Sequence, residues 1–167
     1  MKIFGIAGWS GSGKTTLITS LLPNLTARGI SVSTVKHAHL GFDIDKPGKD
    51  SFVHRMSGAS EVVIGSATRW ALMHELRGAP EPTLSELISH MTPVDLYLVE
   101  GFKWEGHAKM EVHRPAVGKP LLQPDDPTIR AIACDTKLAG MAVPVMDMND
   151  ISGIADFILD QCQLQAA

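Results

Sequence analysis

A glycine-rich motif near the amino terminus carries the most specific chemistry in the sequence. Gly8-Trp9-Ser10-Gly11-Ser12-Gly13-Lys14-Thr15 fits the pattern G-x-x-x-x-G-K-[ST] at every fixed position. In this pattern, backbone N–H groups and a helix amino terminus bind phosphates, the lysine contacts the β and γ oxygens, and the hydroxyl coordinates Mg²⁺. The alternative is a glycine-rich turn without a ligand, but Lys14 at a helix amino terminus is electrostatically unfavourable unless an anion lies there. The motif therefore predicts a site for a nucleoside triphosphate and magnesium.

A carboxylate normally completes such a site, and one buried segment offers an acid at each end. Asp95 and Glu100 flank the apolar run 96–99, and the strand between them spans about 17 Å, so only one acid can face the nucleotide. Ligands of an open parallel sheet bind at the carboxyl ends of its strands. This rule favours Glu100 as the catalytic and metal-binding acid, with Gly101 allowing close backbone approach. Asp95 is predicted to be a strand-start residue.

The loop after the second predicted strand is dense in both signs of charge. Asp45 and Asp50 are candidate ligands for magnesium-bound water, or bases for an attacking water, and Lys46 and Lys49 could contact phosphate. The alternative is a solvated charged loop in which Asp50 caps the helix that follows. The sequence favours a functional role for Asp45 and leaves both roles of Asp50 open.

Two further pairs of residues could bind a metal. His37 and His39 point the same way in an extended chain, although no third ligand follows at a fitting spacing. Asp125 and Asp126 precede Pro127, where a turn is favoured over a metal site. Neither pair is predicted to bind metal.

The elements that must position these residues alternate between strand and helix. Lys2–Ala7 is a short apolar run typical of a buried strand, apolar residues recur at helical spacing from Lys14 to Leu25, and Ile30–Val35 has the composition of a second strand. Such strand–helix–strand units build parallel sheets. Further predicted strands are 61–64, 94–99, 109–113, 129–133 and 143–146, and further predicted helices are 50–57, 83–91 and 151–161. The pattern predicts an α/β fold of the P-loop NTPase class, with a mainly parallel twisted sheet flanked by helices on both faces.

Length and composition restrict the class of protein. A chain of 167 residues is typical of one domain, so a single nucleotide-binding domain over 1–167 is predicted. The net charge of −3 lacks the basic excess of nucleic-acid-binding proteins, and two cysteines are too few for a disulfide framework. No apolar run approaches the roughly 18 residues of a membrane span. We therefore expect a cytoplasmic protein with neither nucleic acid nor membrane as a partner.

The segment 102–127 exceeds what a minimal P-loop domain needs. Within it, 109–113 alternates in period two and is followed by four prolines, at 115, 120, 124 and 127, which is typical of a strand near the margin of a sheet. An exposed strand edge can pair with a second copy across a two-fold axis. The segment therefore predicts a homodimer whose contact includes 102–127.

Six segments spread over nearly the whole chain carry a family resemblance. They are Gly8–Thr15, Val35-Lys36-His37-Ala38-His39, Asp45-Lys46-Pro47-Gly48-Lys49-Asp50-Ser51, Gly58-Ala59, Arg69-Trp70-Ala71-Leu72 and Leu98-Val99-Glu100-Gly101-Phe102-Lys103. Together they resemble the molybdopterin-guanine dinucleotide biosynthesis adaptor protein B family. The resemblance implies a cytoplasmic homodimer that binds GTP with Mg²⁺ and hydrolyses it weakly. It also implies two partners: the guanylyltransferase (protein A of the pathway) that attaches GMP to molybdenum cofactor, and molybdopterin or its dinucleotide form.

Motif and resemblance together define a predicted site. The predicted nucleotide-binding residues are Gly8, Ser10, Gly11, Ser12, Gly13, Lys14, Thr15, Thr16, Lys49, Asp50 and Gly101. The predicted metal ligands are Thr15, Asp45 and Glu100, of which the two acids are also the predicted catalytic residues.

The base preference and the reaction each have an alternative. Many GTPases select guanine with an N/T-K-x-D loop, but Thr136-Lys137-Leu138 is followed by Ala139, so guanine preference depends on the resemblance or on another acceptor. A small-molecule kinase that transfers a γ-phosphoryl group is the alternative function, and a module using nucleotide only as a structural ligand is another. The six arginines are scattered without a paired lid signature, which disfavours the kinase.

Overall fold

The structure, a computed structural model, describes residues 2–38 and 41–166. Its strands are β1 (Lys2–Ala7), β2 (Val32–Lys36), β3 (Glu61–Gly65), β4 (Trp70–His74), β5 (Leu96–Glu100), β6 (Lys109–His113), β7 (Ile129–Cys134) and β8 (Val145–Asp147). Its α-helices are α1 (Lys14–Ala27), α2 (Asp50–Met56), α3 (Leu84–Ser89) and α4 (Ile151–Cys162). Two short 3-10 turns, Pro115–Val117 and Gln123–Asp125, lie in the proline-rich segment.

The chain forms two compact units. The sheet unit comprises 1–37 and 88–167, and the hairpin unit comprises 38–87. The single domain predicted for 1–167 stays a prediction.

The sheet unit is built on a parallel sheet of six strands in the order β2-β5-β1-β6-β7-β8. The first strand, β1, lies in the interior between β5 and β6. Because all neighbours are parallel, the chain leaves every strand at the same edge, and the loop after β1 opens there beside the ends of β5 and β6. The predicted α/β fold with a mainly parallel sheet is confirmed.

One face of this sheet packs against α1 and α4. The apolar spacing that predicted α1 places Leu17, Ile18, Leu21 and Leu25 in the core, and Pro23 lies within the helix as expected. α4 contributes Ile154 and its neighbours to the same cluster. Fully burying one such side chain contributes about 1.5–3 kcal/mol, so this layer fixes the helix that follows the glycine-rich loop.

The strand β6 is interior, so the prediction of a marginal strand was wrong. It pairs with β1 on one side and with β7 on the other, and all five of its residues are buried. The period-two alternation arises because Met110 and Val112 join the apolar core while Lys109, Glu111 and His113 take the alternate positions. Since β6 is paired on both sides, it cannot add a strand from a second copy. In the described sheet the edge strands are β2 and β8.

Charged side chains of β6 fix two loops on the second face of the sheet. The Lys109 ammonium donates to the carbonyl oxygens of Lys103 (3.0 Å) and Glu105 (2.7 Å), to Asp126 Oδ2 (3.2 Å) and to Thr128 Oγ1 (2.6 Å). Asp126 Oδ1 in turn accepts the Thr128 N–H at 2.9 Å, which is the turn predicted there.

The buried Glu111 carboxylate holds the second of these loops. It accepts N–H groups from Leu122 at 2.9 and 3.0 Å and from Gln123 at 2.9 Å. Hydrogen bonds to a charged group are about twice as strong as neutral ones. These two buried charges therefore hold the segments around 103–105 and 121–128 in place.

His107, in the same layer, should make stability depend on pH. Burial, together with a smaller contribution from the Lys109 charge, lowers the pKa of its imidazole to about 4. Because the unfolded pKa of about 6.5 is higher, the unfolded state binds the proton first, and stability is lost as pH falls from about 6.5 to 4. We expect the parent to lose up to about 3 kcal/mol more than His107→Gln across this window in urea titrations. His90→Gln, at an exposed position, should behave like the parent, and parallel curves for parent and His107→Gln would contradict the assignment.

The hairpin unit is organised by Arg55 on α2. Its guanidinium binds Asp43 (2.8 Å) and Asp45 (2.8 Å) and lies 3.4 Å from Glu75. The antiparallel pair β3–β4 completes this unit, with Val62 opposite Met73. No strand was predicted at 70–74, so β4 is an addition to the sequence-based assignment.

No helix within the described residues combines the length and the apolar character needed to cross a membrane.

Candidate nucleotide-binding site

The glycine-rich loop has a shape that only glycine permits at its start. Gly8 has φ 139°, and a Cβ there would lie 2.4 Å from the Val112 carbonyl oxygen of the neighbouring strand. Gly13 caps α1 with φ 104°, and the first N–H groups of that helix have no acceptor within it. The Ser12 hydroxyl is buried without a hydrogen-bond partner among the described residues. A loop with these unused donors fits the phosphates that the motif predicts.

Lys14 lies across the loop and is available to an anion. Its ammonium donates to the Trp9 carbonyl oxygen at 2.9 Å. Burial lowers the pKa of Lys14, and the nearby lysines 103 and 36 lower it further, while Glu100 acts in the opposite direction. A partly desolvated ammonium among other lysines gains more from a bound phosphate than an isolated surface lysine would.

Thr15 and Glu100 come together as the sequence predicted. The Thr15 hydroxyl donates to Glu100 Oε1 at 3.2 Å and to Oε2 at 3.3 Å. β5 carries Glu100 to this point because it pairs directly with β1, and Lys36, at the end of β2, lies 3.4 Å from Glu100 Oε1. A hydroxyl and a carboxylate at this spacing are suitable ligands for Mg²⁺. Among residues 2–38 and 41–166, no three His, Cys, Asp or Glu form a metal cluster.

Gly101 is required where the chain leaves β5. It has φ 90°, and a Cβ there would lie 2.9 Å from the His37 Cβ. His37 donates its backbone N–H to the Glu100 carbonyl oxygen at 2.9 Å, and its ring lies 4.9 Å from the Phe102 ring. The close approach expected at Gly101 therefore involves the end of β2. The spacing of His37 and His39 cannot be followed further, because His39 lies outside the described residues.

Arg114 is a basic residue at this site that the sequence analysis missed. It follows β6 directly, and its Nη2 would lie 3.6 Å from a Cβ on Gly13. Its partners are weak: Nη2 contacts Met148 Sδ at 3.3 Å, and the buried Nε lies 3.4 Å from Asp135 Oδ2 without hydrogen-bond geometry. A guanidinium with unused donors beside a helix amino terminus favours a bound anion. Its position after an interior parallel strand, as for Glu100, is the signal that could have identified it.

The other predicted site residues belong to the hairpin unit. Arg55 binds both oxygens of the buried Asp45, at 2.8 and 3.3 Å. Lys49 is the amino-terminal cap of α2 and makes no side-chain cap bond, while Asp50 is the first helical residue. The cap predicted as an alternative for Asp50 is therefore at Lys49, and a metal at Asp45 would compete with the Arg55 ion pair, which engages both carboxylate oxygens.

Asp95 has the structural role expected of it. Its Oδ2 accepts the backbone N–H of Ser31 at 2.8 Å and the Ser31 hydroxyl at 2.5 Å. These hydrogen bonds lower the pKa of the Asp95 carboxyl group. The acid thus fastens the start of β5 to the residue before β2, at the opposite end of the strand from Glu100.

The fold and the loop define a P-loop nucleotide-binding protein. The profile of the family described as "Molybdopterin guanine dinucleotide synthesis protein B" matches residues 3–135. The chain is 43% identical over 168 residues to the molybdopterin-guanine dinucleotide biosynthesis adapter protein of Escherichia coli (strain K12), covering 99% of this chain and 95% of that protein. The chain belongs to the molybdopterin guanine dinucleotide synthesis protein B family.

Two further relatives agree with this assignment. The adapter protein of the same name from Haemophilus influenzae is 42% identical over 161 residues, covering 95% of this chain and 88% of the relative. A crystal structure of molybdopterin-guanine biosynthesis protein B superposes with a TM-score of 0.76 at 30% identity, covering 96% of this chain and 99% of that one.

Proposed function

We propose that this chain is an adapter protein of molybdopterin-guanine dinucleotide biosynthesis that binds GTP with Mg²⁺ and hydrolyses it slowly. The observation that carries the proposal is the Thr15–Glu100 pair beside the glycine-rich loop, in a chain of this family. The guanylyltransferase of the pathway and molybdopterin or its dinucleotide form are the proposed partners. A cytoplasmic location and a homodimer belong to the same proposal, with the dimer contact no longer attributed to pairing along β6.

The residues at the loop divide the work of binding a triphosphate. Lys14 and the backbone of Gly8–Thr16 neutralise and orient the phosphates, and Arg114 supplies a second cation at the same helix end. Thr15 and Glu100 would hold the metal or its water. When bound, magnesium would neutralise charge on the phosphates. Lys36, paired with Glu100 at 3.4 Å, helps to orient that carboxylate.

The kinase alternative is less well supported. A kinase must cover the migrating phosphoryl group with a lid that carries cations. In the described part of the hairpin unit, two arginines hold the structure together: Arg55 binds three acids, and Arg77 donates to the carbonyl oxygens of Arg55 and Ala59. Membership of an adapter family also favours the adapter function.

Calorimetric titration with GTP, ATP and GDP in magnesium tests nucleotide selectivity directly. Selective binding of GTP would support the proposal, whereas equal binding of ATP together with phosphoryl transfer to an alcohol would favour the kinase.

Glu100→Gln tests the metal-binding role. We expect hydrolysis of GTP to fall by about tenfold or more while GTP affinity changes by less than about threefold, because the lost interaction orients metal and water more than it binds phosphate. Glu105→Gln, an exposed acid of the same unit, should match the parent. Unchanged hydrolysis in Glu100→Gln would remove the acid from the mechanism. Asp45→Asn in the same assay, followed also by thermal melting, separates loss of hydrolysis from loss of the Arg55 pair.

A further inference from the structure

We propose that the cavity beside the glycine-rich loop is a subsite for a pterin ring. The proposal rests on the function proposed above, since it locates the second ligand of that same site. The cavity, of about 200 Å³, lies within the sheet unit and is lined by Trp9, Lys103, Trp104, Pro120, Leu122 and Asp125, among others. Its volume is below the roughly 300–1,000 Å³ of pockets for drug-sized ligands, so it suits one small fused ring and not a whole dinucleotide.

The cavity wall offers an open aromatic face at Trp104, whereas lysines 103 and 119 lie over the Trp9 ring. Trp9 is held by a hydrogen bond from its indole Nε1 to the Pro120 carbonyl oxygen at 2.7 Å, and the Lys103 ammonium lies 4.3 Å from its ring centroid. Trp104 is 88% exposed. An open aromatic face beside an apolar cavity can stack on a flat heteroaromatic ring.

One carboxylate at the cavity is available to the edge of such a ring. Asp125 is exposed, and its side chain makes no hydrogen bond to the described residues, whereas the neighbouring Asp126 is occupied by Lys109 and Thr128. The pyrimidine edge of a pterin presents a ring N–H and an amino group side by side. A carboxylate can accept both in a bidentate pair.

The rims of the cavity are fixed before any ligand binds. Lys109 holds the carbonyl oxygens of Lys103 and Glu105 on one side, and Glu111 holds the N–H groups of Leu122 and Gln123 on the other. A site whose walls are already ordered loses less entropy on binding. Lys109 and Glu111 would therefore contribute to ligand binding as well as to stability.

The position of the cavity distinguishes a pterin from the guanine base of the bound nucleotide, which presents the same donor edge. The lysine of the motif reaches the β and γ phosphates, and Lys14 donates to the Trp9 backbone carbonyl oxygen at 2.9 Å, so the backbone that carries the Trp9 indole lies at the β- and γ-phosphate end of the loop. The guanine base is joined through the ribose to the α-phosphate, at the opposite end of the triphosphate. The cavity therefore receives a separate ring. In a family named for a product that joins molybdopterin to a guanine nucleotide, that ring is the pterin.

The experiment uses the full chain and free pterin, followed by the fluorescence anisotropy of the pterin. We expect binding to the parent that weakens about tenfold or more in Asp125→Asn and in Trp104→Ala. The matched ligand is lumazine, a pteridine that lacks the amino group and should bind about tenfold more weakly than pterin. Asp160→Asn, an exposed acid on α4, should bind pterin like the parent.

Separate outcomes test the subsite and the proposed function. Pterin binding that is absent, or equal in parent, Asp125→Asn and Trp104→Ala, overturns the subsite. So does guanosine that displaces pterin at equal concentration, since the cavity would then hold a guanine base. Titration of the same variants with GTP measures the affinity of the nucleotide site: Asp125→Asn should bind GTP like the parent. A parent that binds pterin but no GTP would overturn the proposed function and leave the subsite standing.

Discussion

Replacing Lys14 with alanine is expected to weaken GTP binding by roughly 30- to 150-fold and to leave the fold intact. The ammonium lies over the loop, 2.9 Å from the Trp9 carbonyl oxygen, and is partly desolvated. Hydrogen bonds to a charged group contribute about 1.5–3 kcal/mol, and here one ammonium can reach two phosphate groups. Isothermal titration with GTP and magnesium measures the effect, and a far-UV spectrum equal to that of the parent shows that the fold is retained.

Lys2→Ala provides the matched control for Lys14→Ala. Lys2 begins β1, at the opposite end of the strand from the loop, and about 17 Å separates the two ends of a strand of this length. The control should bind GTP like the parent. Equal GTP affinity in the parent and Lys14→Ala would mean that the loop does not bind phosphate.

Local rules were sufficient to predict the centre of the candidate site. The motif fixes Gly8, Gly13, Lys14 and Thr15 within eight residues, and the rule that ligands bind at the carboxyl ends of parallel strands selects Glu100 over Asp95. The structure places the two acids accordingly: Thr15 contacts Glu100, and Asp95 fastens the start of its strand to Ser31, while the metal-binding role of Glu100 stays a prediction. The information lies in short segments, so it does not depend on the order of strands in the sheet.

The sequence did not predict the order of the strands in the sheet. Alternation of polar and apolar residues in 109–113 is typical of a half-exposed strand, but the strand is buried on both faces, since loops cover its charged side. The covering loops come from 103–105 and 121–128, and no local pattern predicts that they fold back onto the sheet. Arg114 was missed because the strand order was not predicted: Arg114 lies beside Gly13 because β6 pairs with β1.

The hairpin unit illustrates a different limit. Trp70-Ala71-Leu72-Met73 contains helix-favouring residues without alternation, so only its pairing with β3 makes it a strand. The charge-dense loop before α2 suggested magnesium ligands at Asp45 because carboxylates and lysines cluster there. The cluster also contains an internal partner, Arg55, ten residues on from Asp45, which neutralises the acid in the structure. Sequence distance alone does not distinguish a carboxylate that binds magnesium from one that pairs with an arginine of the same unit.

Lys109→Met is expected to destabilise the protein by about 3–5 kcal/mol, because it removes the charged partner from a buried network. The ammonium is 1% exposed and donates to four oxygens, and methionine fills similar volume without any donor. The carbonyl oxygens of Lys103 and Glu105 would then be left without this donor, and Asp126 without its cation. Urea unfolding followed by far-UV circular dichroism measures the change, and Lys137→Met, at an exposed position, should stay within about 0.5 kcal/mol of the parent. A loss below about 1 kcal/mol for Lys109→Met would mean that the cost of burying the ammonium cancels its hydrogen bonds. In that case the loop at 103–105 would be held by packing alone, and the cavity that it borders would not be preorganised by charge.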